Sequence, residues 1–267
     1  MPQDRKIKIS GSSRKVINLL LSNMNLGTCK LCEKSALLHQ SHIIPSSLHK
    51  ITKDNNGKNV RIMVGKSVNE KNQRDLKEEM LCTACEKLLS TFEKRTIELL
   101  RPAWKSSRMA RRSYPIPAIS IAHVLMFTYS VFWRASIAKS FSDYKLPTMI
   151  EERLKRFLLG EEFLGPSDLP ISLGFLKSLR EIVAGWEVIQ YPASFDVAPG
   201  YLCSNFLCMG IVFSMISPAE YEPLGLAPFV TLGERYLIVP ASPIVAQQTV
   251  AIMEAVNEMA SEKHKYG

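Results

Sequence analysis

The chain lacks an apolar segment at its start: Met1 to Lys15 is polar and basic, which does not make the h-region of a secretory signal. It lacks internal repeats at solenoid periods and any low-complexity tract, which excludes a stacked-repeat architecture. Cysteine is scarce for the length, with six in 267 residues, so a disulfide scaffold is not needed. A reducing, cytoplasmic compartment is the expectation. Long hydrophobic runs are also missing apart from residues 118–138, and that run contains His123 and Arg134. An arginine inside a lipid span is costly, whereas a core helix can bring one guanidinium to a carboxylate or to the surface. A buried globular helix is therefore expected there, and no membrane partner.

What is present is enough apolar sequence, 46% of residues, to bury a substantial core in one large domain or two modest ones. Charge is divided unevenly. Residues 1–114 carry a net +13 and residues 115–267 a net −4, within a total of +9. A concentrated positive field favours polyanions, because phosphate contacts release condensed counterions and speed encounter. Nucleic acid is the leading partner class; a lysine-rich surface without a specific ligand is the plainer alternative.

Hydrophobic periodicity gives an α+β expectation. Residues 1–13 read as a loose arm, and Lys15 to Met24 has the spacing of a short helix. Ser35 to Ile44 is strand-compatible, and Pro45-Ser46-Ser47 opens a short helix carrying Leu48 and His49. Thr52 to Asp75 reads as an exposed basic excursion with one strand at Val60 to Val64. Glu86 to Leu100 has helical spacing, with Pro102 as its stop, and Tyr114-Pro115-Ile116-Pro117 reads as a stiff connector. Pro147 to Leu159 predicts an amphipathic helix ended by Gly160. Short β-rich runs follow at Trp186 to Tyr191, Cys208 to Ile216 and Arg235 to Val239, and Pro243 to Lys263 closes as a long helix. The expected organisation is a basic module over 1–114 and an α+β domain over 115–267, the latter open to a protein partner or self-association.

Two C-x2-C pairs, Cys29/Cys32 and Cys82/Cys85, flank Ser41-His42-Ile43-Ile44-Pro45. Two such knuckles supply four thiolates at tetrahedral corners, the donor set of a structural Zn2+. Neither pair has the strand-to-helix setting of a redox dithiol in this reading. Cys203 and Cys208 fall in the apolar stretch Tyr201 to Ile216 and read as small buried hydrophobes. A loop pinned by zinc can present groups that are not its ligands. His42 is one: an imidazole titrates near neutral pH and can deprotonate water for attack on a phosphodiester, with a hard divalent metal neutralising the developing charge.

The order C-x2-C, strand ending in His-Ile-x-Pro, then Leu-Cys-x2-Cys opening a helix resembles the HNH (His-Asn-His) endonucleases, over Cys29 to about Lys94. The resemblance implies a ββα, treble-clef finger braced by four cysteines, with His42 as general base and a divalent cation held near the helix. Ser-His-Ile-Ile-Pro, with Leu-Leu-Ser-Thr-Phe-Glu-Lys after the last cysteine, is also similar to a diverged branch of HNH-like proteins associated with bacteria and phage conflict, which implies a role in defence. The chain departs from the pattern in three places: Ser41 stands where Asp usually precedes the histidine, Glu86 where His or Asn follows the last cysteine, and Lys77-Glu78-Glu79 where Asn is usual.

Glu86, Ser90 and Glu93 fall at i, i+4 and i+7, so one helical face can turn two carboxylates toward His42 and hold Mg2+ or Mn2+. The plainer reading of both is a solvated helix face. Lys53, Lys58, Arg61, Lys66 and Arg74, with Arg108, Arg111 and Arg112, are the candidate backbone-gripping residues. His39 is expected at the surface, His123 in the core, and His49 is a further candidate for the site. Two functions follow: a metal-dependent endonuclease acting on DNA in preference to RNA, or a zinc-finger module that binds nucleic acid or regulates without cutting.

Overall fold

The computed structural model describes residues 25–53, 60–62, 76–105, 114–117, 121–164, 168–175, 188–198, 200–218, 231–232 and 235–240. In chain order the elements are β1 (Leu26–Thr28), β2 (Ser35–His42), α1 (Ser46–Ile51), β3 (Val60–Ile62), β4 (Lys77–Cys82), α2 (Thr83–Lys105), β5 (Tyr114–Pro117), α3 (Ile121–Ile137), α4 (Thr148–Leu158), β6 (Ile171–Phe175), β7 (Val188–Ala198), β8 (Tyr201–Cys208), β9 (Ile211–Pro218), β10 (Thr231–Leu232) and β11 (Arg235–Pro240). The class is α+β, as expected. The helices expected at Lys15 to Met24 and Pro243 to Lys263 lie outside the described residues, as do Lys58, Lys66, Arg74, Arg108, Arg111 and Arg112.

A small antiparallel sheet in the order β1-β2-β4 carries the first thiol pair in the turn between β1 and β2, at the same end at which β4 runs into α2. An eight-stranded mixed sheet has the path β10-β11-β6-β9-β8-β7-β3, with β5 paired to β11 off that path. Between them lies α3, whose residues 127–136 are all buried. Buried on every side over this stretch, α3 behaves as a core helix, and no described helix is long and apolar enough to cross a membrane.

Aromatic packing joins α3 to the large sheet. Phe206 and Phe213 are register partners on β8 and β9, stacked with ring centroids 4.6 Å apart. Phe127 and Phe132 of α3 meet Phe206 edge-on at 6.0 and 5.2 Å, the arrangement favoured by the ring quadrupole. One hydrophobic cluster runs from Cys29, Leu31 and Met80 through Val124 and Phe132 to Phe213 and Met215, so the core draws on both sides of residue 114.

Several elements differ from expectation for local reasons. The run Cys208 to Ile216 is split by a two-residue turn at Met209 and Gly210, with φ of 53° and 68°, which makes β8 and β9 a hairpin. Both strands are buried on both faces over most of their length, so no polar alternation marked where one ended. Helix α2 begins at Thr83 and includes Pro102, which stands exposed, and the helix stops at Lys105, within one turn of that proline. Tyr114–Pro117 pairs antiparallel with β11 instead of acting as a free connector; β5 lies off the main path of the sheet, a setting in which proline is tolerated. The strand expected at Val60 to Val64 forms as β3, parallel to β7 at the sheet edge.

Helix α4 ends as Gly160 predicts. Gly160 takes φ +75°, its N–H bonds to the Phe157 carbonyl at 2.9 Å, and the Glu161 N–H bonds to the Arg156 carbonyl at 2.9 Å. This pair of reversed bonds satisfies carbonyls that the last helical turn leaves open.

Candidate metal centre and the strand end beside it

The turn after β1 presents the first two thiols. The Glu33 N–H bonds to the Cys29 carbonyl at 2.8 Å and the Cys29 N–H to the Lys34 carbonyl at 3.0 Å, with Glu33 held at φ 59°. The Lys30 N–H reaches the Met80 carbonyl at 2.8 Å, which ties this knuckle to β4. Cys82 ends β4, and Cys85 lies in the first turn of α2. The second pair therefore does sit at a strand-to-helix junction, contrary to the sequence reading. A two-thiol redox role still leaves Cys29 and Cys32 unexplained, because all four sulfurs converge.

The four ligand atoms lie within 4.8 Å of one another, close enough to hold a metal ion. Cys32 Sγ and Cys82 Sγ are 3.8 Å apart. A disulfide needs about 2.0 Å, whereas a tetrahedron with metal–sulfur bonds of about 2.3 Å has edges of about 3.8 Å. The spacing fits a tetrathiolate. Burial raises the Cys29 and Cys85 thiols, with contacts among the sulfurs adding to the rise at Cys85. Burial acts the same way on Cys82, but hydrogen bonds from the Cys85 backbone and from the other thiols outweigh it and bring Cys82 down to about 7. The Cys82 N–H also points at Cys29 Sγ, 3.3 Å away, a donor suited to a thiolate. Cys203 and Cys208 are buried free thiols in the large sheet, as expected; burial pushes Cys203 up to about 12 and Cys208 higher.

From this centre β2 runs to His42, paired antiparallel with β4 down to His42 opposite Lys77. A register shift lies between His39 and Gln40. His39 is exposed and shares a 2.8 Å hydrogen bond with Thr83 Oγ1 at the start of α2. Ser41 is buried, and its hydroxyl donates to the Glu86 carboxylate. His42 follows, half-buried, and its carbonyl accepts from Arg134 Nη1 at 2.9 Å. Arg134 Nη2 donates to Glu93 Oε1 at 2.6 Å. The i and i+7 carboxylates of α2 thus both reach the end of β2, Glu86 directly and Glu93 through a guanidinium. Ser90 is exposed and turns its hydroxyl back to the Lys87 carbonyl.

Among the described residues the four cysteines are the only group of three or more His, Cys, Asp or Glu side chains gathered as metal ligands. His42, Glu86 and Glu93 are not drawn into a second such group. His49 is buried in α1 with its ring 6.2 Å from Tyr191, and His123 is half-buried, 5.7 Å from Phe92. Of the candidate nucleic-acid residues, Lys53 is exposed after α1 and Arg61 lies in β3.

Sequence reasoning missed Arg134 as a neighbour of His42, although an arginine inside an apolar run was the signal that a carboxylate would be found for it. It also missed Lys30 and Glu78. Lys30 Nζ bonds to the Ile137 carbonyl at 3.0 Å and lies 3.4 Å from Glu78, which accepts the Ser140 N–H at 2.9 Å. Against burial, that amide and Lys30 hold the Glu78 carboxyl below the usual range. Comparison with known proteins finds no family model, curated protein or solved structure that matches this chain.

Proposed function

We propose that this chain is a metal-dependent endonuclease of the HNH type, cleaving phosphodiesters of DNA in preference to RNA. The observation that carries the reading is the layout β2, antiparallel β4, α2, with thiols at both ends of the turn after β1 and at the β4–α2 junction, and Ser41 in contact with Glu86. That order of knuckle, hairpin and helix suits a treble-clef finger with structural zinc at Cys29, Cys32, Cys82 and Cys85. In it, His42 ends the first strand of the ββα unit and Glu86 occupies the first turn of its helix.

In the proposed reaction His42 takes a proton from water, and the hydroxide attacks phosphorus in line with the leaving oxygen. Mg2+ or Mn2+ supplies Lewis acidity when bound, with Glu86 the nearest carboxylate to Ser41 and the candidate ligand. The net positive charge of the first 114 residues, to which Lys53 and Arg61 contribute, attracts the backbone. Free thiols fit a cytoplasmic setting, and defence against phage is the proposed context.

The second reading, a finger that binds nucleic acid without cutting it, is favoured by a specific observation: Glu93 is already engaged by Arg134, and no second ligand group gathers among the described residues. One experiment tests both. Zinc-loaded protein is incubated with supercoiled plasmid and Mg2+ or Mn2+, alongside His42→Ala and a salt-dependent binding assay. The endonuclease predicts nicking that falls about 100- to 10,000-fold in His42→Ala with binding retained. Full activity in purified His42→Ala removes the histidine from the mechanism, and binding without nicking by the wild type selects the second reading.

A further inference from the structure

We propose that Arg134 is a positioning residue for His42, supplied to the finger by the core helix α3. This deepens the endonuclease reading and rests on it for its catalytic consequence. Arg134 is 1% exposed, lies near the end of α3, and is the one charged side chain among that helix's buried residues. A guanidinium is rarely taken out of water unless its donors are fixed by acceptors. Here each donating nitrogen has one. Nε bonds to the Ser130 carbonyl at 3.2 Å, Nη2 to Ser130 Oγ at 3.3 Å and to Glu93 Oε1 at 2.6 Å, and Nη1 to the His42 carbonyl at 2.9 Å.

The placement of these acceptors gives the inference. Ser41 and His42 are consecutive at the end of β2, and each is fixed to the same face of α2. Ser41 is held by Glu86 and His42 by Glu93 through Arg134. On one side the strand is held by its ladder with β4, which ends with His42 opposite Lys77. After it, the Ile43 N–H bonds to the Leu76 carbonyl at 3.1 Å, and Ile43 and Ile44 are fully buried. The guanidinium is planar and rigid, so bonding the carbonyl on one nitrogen and the carboxylate on another sets the His42 backbone at a fixed offset from α2. Lysine has a single flexible ammonium and cannot span both partners in that geometry. A purely space-filling role would need neither the carboxylate nor the carbonyl.

The test uses the full-length zinc-loaded chain as Arg134→Met, Arg134→Lys and Glu93→Gln, with zinc content measured for each. Two readouts are taken: kcat and KM for plasmid nicking, and the His42 ring signal in histidine-labelled protein, assigned among the five histidines by its loss in His42→Gln. Misplacing a general base by about 1 Å costs on the order of 100-fold in rate. Arg134→Met is therefore expected to lower kcat about 100-fold with KM within about twofold, and to shift the His42 ring signal. Arg134→Lys recovers part of the loss. Should Arg134→Met fail to fold, Glu93→Gln, which preserves shape and an acceptor, carries the test with a smaller fall and the same shifted signal. An unmoved His42 signal with wild-type kcat in the folded variants overturns the proposal. If the wild type does not nick DNA, the endonuclease reading fails by itself, and the ring signal alone decides: a shift upholds positioning, and no shift ends it.

Discussion

Replacing Glu93 by leucine should destabilise the protein, and replacing Arg134 by methionine in the same chain should restore most of what was lost. The pair is nearly out of water, with side chains 14% and 2% exposed and Nη2 to Oε1 at 2.6 Å. At an effective dielectric of about 20, unit charges about 4 Å apart attract by about 4 kcal/mol. Desolvation of both ions offsets much of this in the intact pair, so its net worth is small. Removing one partner is different, because the guanidinium stays buried with its charge uncompensated. It retains the His42 carbonyl and the Ser130 carbonyl and hydroxyl as acceptors, which limits the cost of Glu93→Leu to about 2–3 kcal/mol, below the usual 3–5 for a broken buried pair. The double variant Glu93→Leu/Arg134→Met replaces both charges by apolar groups of similar bulk, loses only the bonds to His42 and Ser130, and should lie within about 1 kcal/mol of wild type. The assay is urea unfolding at saturating zinc followed by tryptophan fluorescence, since Trp133 is buried beside Arg134. Strictly additive losses in the double variant, or a Glu93→Leu midpoint unchanged from wild type, would refute the reasoning.

Two further outcomes are expected. Reduced, folded protein should carry about one equivalent of zinc by elemental analysis, and Cys82→Ser should lose most of it together with the ordered amide spectrum of the β1-β2-β4 sheet, because metal binding and folding of such a site are one equilibrium. Folded, zinc-free wild type would contradict this. Glu78 should give a pH-dependent contribution: its folded-state carboxyl is held below the unfolded value of about 4.3. Its contribution is present above that value and disappears as pH falls through the lowered one. Glu78→Gln should then cost about 1 kcal/mol at pH near 7, a difference that shrinks as pH falls below the unfolded value and through the lowered one, measured as the difference in unfolding free energy.

The thiol centre was legible because metal chemistry is written in short spacings: C-x2-C fixes two donors on one turn, and the fold has only to bring two turns together. The end of α4 was legible at Gly160 for a similar local reason, since a left-handed residue after the last helical turn suits glycine. What was not legible depended on partners far along the chain. Cys208 to Ile216 read as one run because β8 and β9 are covered on both faces, which removes the alternation that marks a strand's exposed side. Pro115 and Pro117 read as a connector because nothing local announces that β11, about 120 residues later, pairs with them. Pro102 read as a stop because an internal proline removes a helical amide bond, and the helix in fact runs on by less than one turn, to Lys105. The placement of Glu86 and Glu93 was half-legible: their i, i+7 spacing put both on the face toward β2, but Arg134 stands between Glu93 and the strand, and only the fold shows it.

That intervening arginine also bears on how the two charge-distinct halves of the chain relate. A short metal-binding module has little core of its own and ordinarily relies on its metal for stability. The small sheet beside the four thiols has other supports from the second half of the sequence. Lys30 reaches the end of α3 through the Ile137 carbonyl, Glu78 takes the Ser140 N–H just beyond it, Glu33 pairs with Lys155 of α4 at 2.7 Å, and Thr96 of α2 bonds to the His123 carbonyl at 2.9 Å. The exposed pair with Glu33 adds little to stability, since surface ion pairs are worth about 0–1 kcal/mol. Lys30, Glu78 and Arg134 are better shielded, and all three act at or beside β2 and β4, the strands that end in His42 and Cys82. The second half is therefore not a separate passenger. Its core helix and the residue run just after it supply Arg134, the Ile137 carbonyl and the Ser140 N–H, which hold the small sheet in addition to the four converging thiols.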